Sequence, residues 1–348
     1  MEHFRSYFLQ AYTCFNQYKK HWIKISKQKF NNENKIYSII DNQMYTFTGL
    51  DRKEFNNLVE LIDYQLQALP AHKITLFDLI GLGLFHMRFY IPECLTELIF
   101  GIPSSTYINY FNSFLDVIIS VNPYFQLPRN LGDHVKIIDG KKIAIVIDCV
   151  EQYIVKSSDG NLEIAAYSGK YNSNTISLLI ACSIINGKPF LKSPSYWGSS
   201  NDQHIANMIS WISLLPEDHY ILADKGFIGN LFVTKSHKSK DFMPTNSTKV
   251  LDKIIDKERI IVENDIGFCK NKFSICSQPL RFKTTTAISK TSKAPNKSRK
   301  AKTKPLKDDD RLLEYHAKIW HVALTVLFLF GNVRKKGVNV SSLNIFNI

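Results

Sequence analysis

Apolar positions in the first third of the chain recur at helical spacing. In the runs 50–66 and 75–90, apolar residues lie three and four positions apart, which is typical of helices with one buried face. Residues 1–130 are therefore predicted to be mostly helical.

The stretch 91–118 predicts two helices joined by a short turn. Gly101 lies at the turn, and the second helix is expected to open at Pro103 and to be capped by Ser104 or Ser105. A short helix, a tight turn with glycine and a second helix form the outline of a helix-turn-helix DNA-binding motif. Two packed core helices explain the pattern as well, because this part of the chain holds few basic residues for contacting phosphates.

From residue 134 the pattern changes to that of strands. Residues 135–150 form two β-rich runs around a turn at 139–140, and the second run is apolar without alternation, as in a strand buried on both faces. Residues 174–197 predict two more strands around a turn at 186–187.

Three further elements complete the predicted second domain. A helix is expected at 199–215, a short buried strand at 219–229, and another helix at 258–273. Together these elements predict a mixed α/β domain at 134–280.

The helix predicted at 258–273 carries two stripes. The apolar stripe is the expected buried face, and its members are Val262, Ile266, Cys269 and Phe273. Beside it, Arg259, Glu263 and Lys270 lie on nearly the same side of the helix, because successive residues are rotated by about 100° around the helix axis.

Charge limits the classes of partner. The chain has 348 residues, a net charge of +13 and a pI near 9.3, which favours a polyanionic partner: nucleic acid first, an anionic membrane surface second.

No apolar run reaches the roughly 18 residues of a membrane span, and 319–330 is predicted to be a buried helix. The N-terminus is not expected to be a secretory signal.

The six cysteines are scattered and form no C-x-x-C pair. This spacing favours a reducing compartment and argues against a zinc finger.

A basic segment follows the α/β domain. Residues 281–307 contain ten Lys or Arg and no acid, which predicts a flexible segment. It is interpreted as a solvated linker, as an arm that binds the DNA backbone or as a nuclear-import patch. Residues 308–348 are expected to contain a C-terminal helix that packs on the core.

Three acids lie where a strand or helix would present them at an edge. Asp148 ends the apolar run IAIVID, Asp224 ends YILAD, and Glu263 lies on the predicted helix. Carboxylates that converge repel one another unless a cation lies between them, and oxygen ligands favour Mg²⁺ or Mn²⁺. Taken singly, each acid is equally explained as a turn former or cap. Asp202 is a further candidate ligand, although we interpret it as stabilising the first turn of its helix.

Several ordered motifs together resemble a known family. VIDCVEQYI, YSGKYNSNTISLLIACSIINGKPFLKSPSYWGSSND, ILADKGF and RIIVENDIGFCKNKFSI look like the catalytic domain of DDE superfamily endonucleases, in particular Harbinger-type transposases and their host-derived relatives. The resemblance covers roughly 134–280 and implies an RNase H-like fold. It also implies that Asp148, Asp224 and Glu263 hold a divalent metal, Mg²⁺ or Mn²⁺ and usually two ions.

The resemblance has further implications. The upstream helices look like the helix-turn-helix domain that often precedes this catalytic domain. The implied activity is phosphodiester hydrolysis and strand transfer on DNA, at transposon ends and targets. Relatives are often assisted by a separate Myb-like DNA-binding protein, and the implied location is the nucleus in a eukaryote and the cytoplasm otherwise. The oligomeric state stays open.

The charged stripe resembles part of another signature. Arg259, Glu263 and Lys270 match the Arg-Glu-Lys part of a Tyr-Arg-Glu-Lys signature in bacterial insertion-sequence transposases, which implies that Arg259 and Lys270 contact DNA phosphates. Lys170 in YSGKYN is a further candidate. The chain departs from the signature at Asp256, where the signature has Tyr. The other interpretation is a surface ion pair at i,i+4.

Three rival functions remain open at this point. A host-adopted nuclease would cut DNA without transposing it. A catalytically silent DNA-binding protein would use only the basic surface and the helix-turn-helix. The interpretation as a membrane-surface protein depends on the net charge alone.

Overall fold

The computed structural model describes residues 44–65, 74–120, 135–155, 160–209, 215–235, 245–281 and 307–336. The predictions for the first 43 residues and for the basic segment, apart from its two end residues, lie outside these ranges. The chain divides into two compact units, 1–117 and 118–348.

The N-terminal unit is helical wherever it is described. Its helices agree with the two predicted helices and the predicted helix pair, and they are α1 (Met44–Thr48), α2 (Arg52–Gln65), α3 (Leu76–Phe89), α4 (Glu93–Phe100) and α5 (Ser104–Ser120). The side chain of Thr75 caps α3 by accepting from the amide of Asp78, and Glu54 and Asp51 accept from each other's amides at the start of α2.

The turn between α4 and α5 forms as predicted, but its cap differs. Gly101 has φ +65°, a left-handed conformation that favours glycine. Ser104 does not cap α5 with its own oxygen: its hydroxyl donates to the Glu97 carboxylate at 2.6 Å, and the same carboxylate accepts from the Ser104 amide at 3.1 Å. A side chain from α4 therefore satisfies the start of α5, and the helix-turn-helix interpretation stays a prediction.

The second unit is built on a mixed eight-stranded sheet. Its strands are β1 (Lys136–Ile138), β2 (Lys141–Tyr153), β3 (Tyr167–Ser168), β4 (Ser173–Ser183), β5 (Pro189–Lys192), β6 (Tyr196–Trp197), β7 (His219–Leu222) and β8 (Phe232–Val233). The main order is β3-β4-β2-β7-β8, with β1 beside β2 and with β5 and β6 beside β4. The β2–β4 pair is antiparallel, and the β2–β7 and β7–β8 pairs are parallel. This arrangement is consistent with an RNase H-like DDE domain.

Helices cover both faces of the sheet. On one face α7 (Asp202–Asn207) packs over β2 and β4, close to α6 (Gly160–Ala166), which contacts β4. On the other face lie α8 (Asn246–Lys272) and α9 (Lys307–Lys336). Because both faces are buried, the centre of β2 is apolar without alternation.

Four predictions for this unit were incorrect in detail. The helix predicted at 258–273 begins twelve residues earlier, at Asn246. The helix predicted at 199–215 begins at Asp202, after the N-cap Asn201, and ends at Asn207; residues 210–214 lie outside the described ranges. The strand predicted at 219–229 ends at Leu222. β2 continues to Tyr153, so Asp148 lies inside a strand rather than at its end.

The C-terminal helix is long and largely buried. Residues 310–330 are long and apolar enough to cross a membrane by length and composition alone, a test that core helices of soluble proteins also pass. Trp320 is completely buried here and donates its indole N–H to Gln152 on β2 at 3.1 Å. This contact and the burial of Ile319 and Leu324 identify α9 as a core helix, as predicted.

Candidate active site

Two of the three predicted acids lie side by side where β7 has ended. The parallel ladder between β2 and β7 stops at the pair Val146 and Leu222. Asp148 and Asp224 each follow that pair by two residues, so they lie at the same level beyond the end of the ladder. Because β7 has ended there, the Asp148 side chain keeps 22% exposure although its strand is central.

The third acid comes from α8, which packs across β2 and β4. The predicted apolar stripe forms its buried face, with Val262, Cys269 and Phe273 fully buried and Ile266 partly buried. Glu263, next to Val262, points away from the core, with half of its side chain exposed.

The Arg259 guanidinium contacts all three acids. Its Nη1 lies 3.2 Å from Asp224, and its Nη2 lies 3.3 Å from Glu263 and 4.0 Å from Asp148. The arginine is 9% exposed, and its Nε has no hydrogen-bond partner among the described residues. Carboxylates from a central strand, a loop after a strand and a helix therefore meet at one buried positive charge.

Asp148 has the most perturbed electrostatics of the three acids. Burial raises the pKa of Asp148 to about 6, against the lowering effect of Arg259 and of the Cys149 amide, which donates to its Oδ1 at 2.8 Å. The nearby carboxylates of Asp202 and Glu263 raise the pKa further. A cation near Asp148 would therefore offset the free-energy cost of keeping its buried carboxylate ionised beside other negative charges.

The side chains of the three acids fit a divalent metal chemically, but Arg259 lies in the place that a shared metal ion would take. Three carboxylates are the hard oxygen ligands that Mg²⁺ and Mn²⁺ prefer. Within the described ranges, however, no group of three or more His, Cys, Asp or Glu is arranged to hold a metal ion. The guanidinium lies where the acids converge, so ions shared by all three acids require Arg259 to move.

Lys270 lies on the same side of α8 as Arg259 and close to Asp148. Its Nζ donates to the Glu151 carbonyl at 3.5 Å. Burial lowers the pKa of Lys270, and the charges of Asp148 and Glu151 oppose that effect. The sequence-based expectation that Lys270 meets a phosphate stays a prediction.

Asp202 belongs to the same electrostatic neighbourhood. Its carboxylate lies 3.8 Å from the Lys170 ammonium and accepts a hydrogen bond from the Cys149 thiol. Burial lowers the pKa of Lys170, but the charges of Asp202, Glu151 and Asp148 outweigh it and raise the pKa overall. The sequence named Asp202 as a candidate ligand but favoured a role in stabilising its helix; its position after the Gly198 turn, facing the strand that carries Asp148, depends on tertiary structure.

Glu151 is a further acid that the sequence pattern did not single out. It lies on β2, three residues after Asp148, and accepts a hydrogen bond from the Thr175 hydroxyl at 2.8 Å. Strand alternation alone identifies it as facing the side opposite Asp148.

The predicted site residues therefore fall into two groups. Asp148, Asp224 and Glu263 converge on Arg259, whereas Lys170 and Lys270 flank them without joining that contact. Asp256, at the position of the signature Tyr, forms an ion pair with Lys235. The roles of these residues in metal and DNA binding stay predictions.

Comparisons with known proteins bear on the same region. No curated protein and no solved structure matches the chain. Residues 147–295, which contain all three converging acids, match the family model of the DDE superfamily endonucleases.

Proposed function

We propose that this protein is a divalent-metal-dependent DDE endonuclease that cuts DNA phosphodiester bonds with Asp148, Asp224 and Glu263. One observation carries the proposal: acids 76 and 39 residues apart in the chain meet at a single guanidinium. Three mutually repelling carboxylates around a positive charge have no packing purpose. The family match over 147–295 supports the same chemistry.

Each residue has a distinct part in the proposed mechanism. The three carboxylates would hold the metal, which supplies activation of a water or 3′-hydroxyl and stabilisation of the leaving oxygen. Arg259 holds the acids together and, once displaced, lies beside the scissile phosphate, where a guanidinium binds phosphate oxygens. Lys270 and Lys170 would contact the flanking phosphates.

A plasmid nicking assay tests the proposal. Wild-type protein is expected to nick supercoiled DNA with Mg²⁺ and not with EDTA, and Asp224→Asn is expected to lose at least a hundredfold in rate. Glu217→Gln is the matched control, because Glu217 is exposed and lies at the other end of β7. Equal, metal-independent behaviour of wild type and Asp224→Asn contradicts the proposal.

A second function, DNA binding without catalysis, is favoured by one feature of the site. The Arg259 guanidinium lies among the three acids and offsets part of their negative charge, as a bound metal ion would. In that case Mn²⁺ titrations of the wild type and of Asp224→Asn would show the same metal binding, or none in either protein. Binding that this substitution removes would favour the nuclease.

The finer identity that we propose is a Harbinger-type transposase able to transfer strands. Its substrate would be the inverted repeats that flank its own gene, with a Myb-like protein as assistant. Incubation with labelled repeat ends, Mg²⁺ and a target plasmid would yield joined products from a transposase and cut products alone from a host-adopted nuclease. The basic segment 281–307 would bind the DNA backbone in either case.

A further inference from the structure

Two tyrosines meet on the surface near the candidate active site. Tyr153 lies at the end of β2, and Tyr171 lies in the turn between β3 and β4. Each of these two residues is 42% exposed. The rings of Tyr153 and Tyr171 meet edge to face with their centroids 5.9 Å apart.

The backbone beneath these rings is held firmly. β3 and β4 pair in a short antiparallel ladder, and the Tyr167 hydroxyl bonds the Asn172 side chain at 3.3 Å. Gly198 packs so closely below that a Cβ would lie 2.2 Å from the Thr175 hydroxyl. Rings held in place lose little freedom when a flat partner stacks on them.

The same hairpin carries a cation and borders the acids. The Lys170 ammonium lies 5.5 Å from the centre of the Tyr171 ring and 3.8 Å from Asp202. Tyr153 lies about 16 Å from Asp148 along β2, at about 3.3 Å per residue. The exposed rings and the Lys170 cation thus lie beside Asp202, whose charge also acts on Asp148.

We propose that Tyr153 and Tyr171 form a stacking platform for unpaired bases of the DNA strand being cut. Exposed aromatic rings beside a basic group bind single strands by stacking, since every unpaired base offers a flat face. In an intact duplex those faces are covered by neighbouring bases. The platform therefore favours a strand that is unpaired beside the scissile phosphate, and this choice of substrate rests on the proposed nuclease function.

Binding measurements without metal test the platform separately from cutting. The probes are a fluorescently labelled single strand, the blunt duplex of the same sequence and the matching RNA strand, all in EDTA. Tyr171→Leu combined with Tyr153→Leu is expected to weaken single-strand binding roughly tenfold and to leave duplex binding within about twofold. Tyr171→Phe combined with Tyr153→Phe keeps both rings and is expected to bind like wild type.

The controls separate stacking from misfolding. Tyr64→Leu removes an exposed tyrosine of the other unit, 78% exposed, and is expected to change nothing. Thermal melting of each variant reports folding. Should the leucine and phenylalanine pairs bind the single strand equally, or should the leucine pair weaken duplex binding as strongly, the platform is disproved. RNA bound tenfold more tightly than DNA also overturns it.

The failure of this inference is distinguishable from the failure of the proposed function. Ring-dependent strand binding without metal-dependent nicking would keep the platform and reject the nuclease. Metal-dependent nicking together with single-strand binding that does not depend on the rings would keep the nuclease and reject the platform.

Discussion

Arg259→Met should destabilise the metal-free protein and make it more responsive to metal. Methionine keeps a similar length and helix propensity but removes the charge. The exposed pairs with Asp224 and Glu263 are each worth at most about 1 kcal/mol. The pair with the less exposed Asp148, at 4.0 Å, contributes a similar net amount after desolvation. The expected loss of unfolding free energy is thus about 2–3 kcal/mol.

Thermal melting measures this loss directly. For a unit of the size of 118–348, about 2–4 °C per kcal/mol applies, so the midpoint should fall by roughly 5–10 °C in EDTA. Saturating Mg²⁺ or Mn²⁺ should close most of that gap, because the ions take over the guanidinium's position among the acids. Lys257→Met is the control: Lys257 is an exposed lysine of the same helix, and its loss should shift the midpoint by less than about 2 °C.

The pH dependence of the Arg259 effect has a definite sign. Burial, opposed by Arg259, leaves the pKa of Asp148 at about 6. Arg259 stabilises only the ionised carboxylate, and its removal raises the pKa of Asp148 further. The contribution of Asp148 to the difference between wild type and Arg259→Met should therefore be largest well above pH 6 and be lost as the pH falls toward 6. An EDTA melting midpoint that is the same for both proteins at pH 7.5, or a gap that metal leaves unchanged, refutes the reasoning.

Three further predictions concern other parts of the chain. Gly83→Ala should destabilise the N-terminal unit by about 1–3 kcal/mol in urea unfolding, because its Cβ would lie 2.1 Å from the Phe114 ring; Gly81→Ala, whose nearest neighbour lies at 3.9 Å, should instead stabilise by about 0.5–1 kcal/mol, and equal effects contradict the packing. Burial, with a smaller effect of a nearby lysine, lowers the pKa of His316 to about 3, so the unfolded chain takes up a proton below pH 6.5 that the folded chain does not. Stability should fall by up to about 1.4 kcal/mol per pH unit between pH 6.5 and 3, and His316→Gln should reduce that slope in pH-dependent urea midpoints; an unchanged slope rejects the assignment. Removal of the basic segment 281–307 should flatten the salt dependence of DNA affinity without changing sequence preference, and an unchanged slope excludes a backbone-binding arm.

Local patterns were enough to predict most helices and strands. The Asp139-Gly140 pair forms the predicted hairpin turn, with φ +52° and +71°, because these residues tolerate left-handed backbone. The apolar stripe of α8 follows from helical periodicity, and the unalternating run of β2 follows from burial on both faces. All three are properties of consecutive residues.

Other features depended on where neighbouring elements stop. The sequence predicted that Asp148 ends its strand, yet β2 continues for five more residues, and the acid is accessible only because β7 ends beside it. The helix predicted at 199–215 ends after six residues, although its polar and apolar pattern continues. Hydrophobic periodicity and residue propensity do not determine where these helices and strands end, because the ends are set by packing against distant strands.

The candidate site shows the same division. Spacing and resemblance identified Asp148, Asp224 and Glu263, and helical geometry placed Arg259 on the bearing of Glu263. Nothing in the linear pattern indicated that Arg259 would contact all three acids, or that Asp202 would bond Cys149 and approach Lys170. Apart from the i,i+4 pair of Arg259 and Glu263, these contacts join residues far apart in the chain, and their distances follow from the sheet register and from how α7 and α8 cover its two faces.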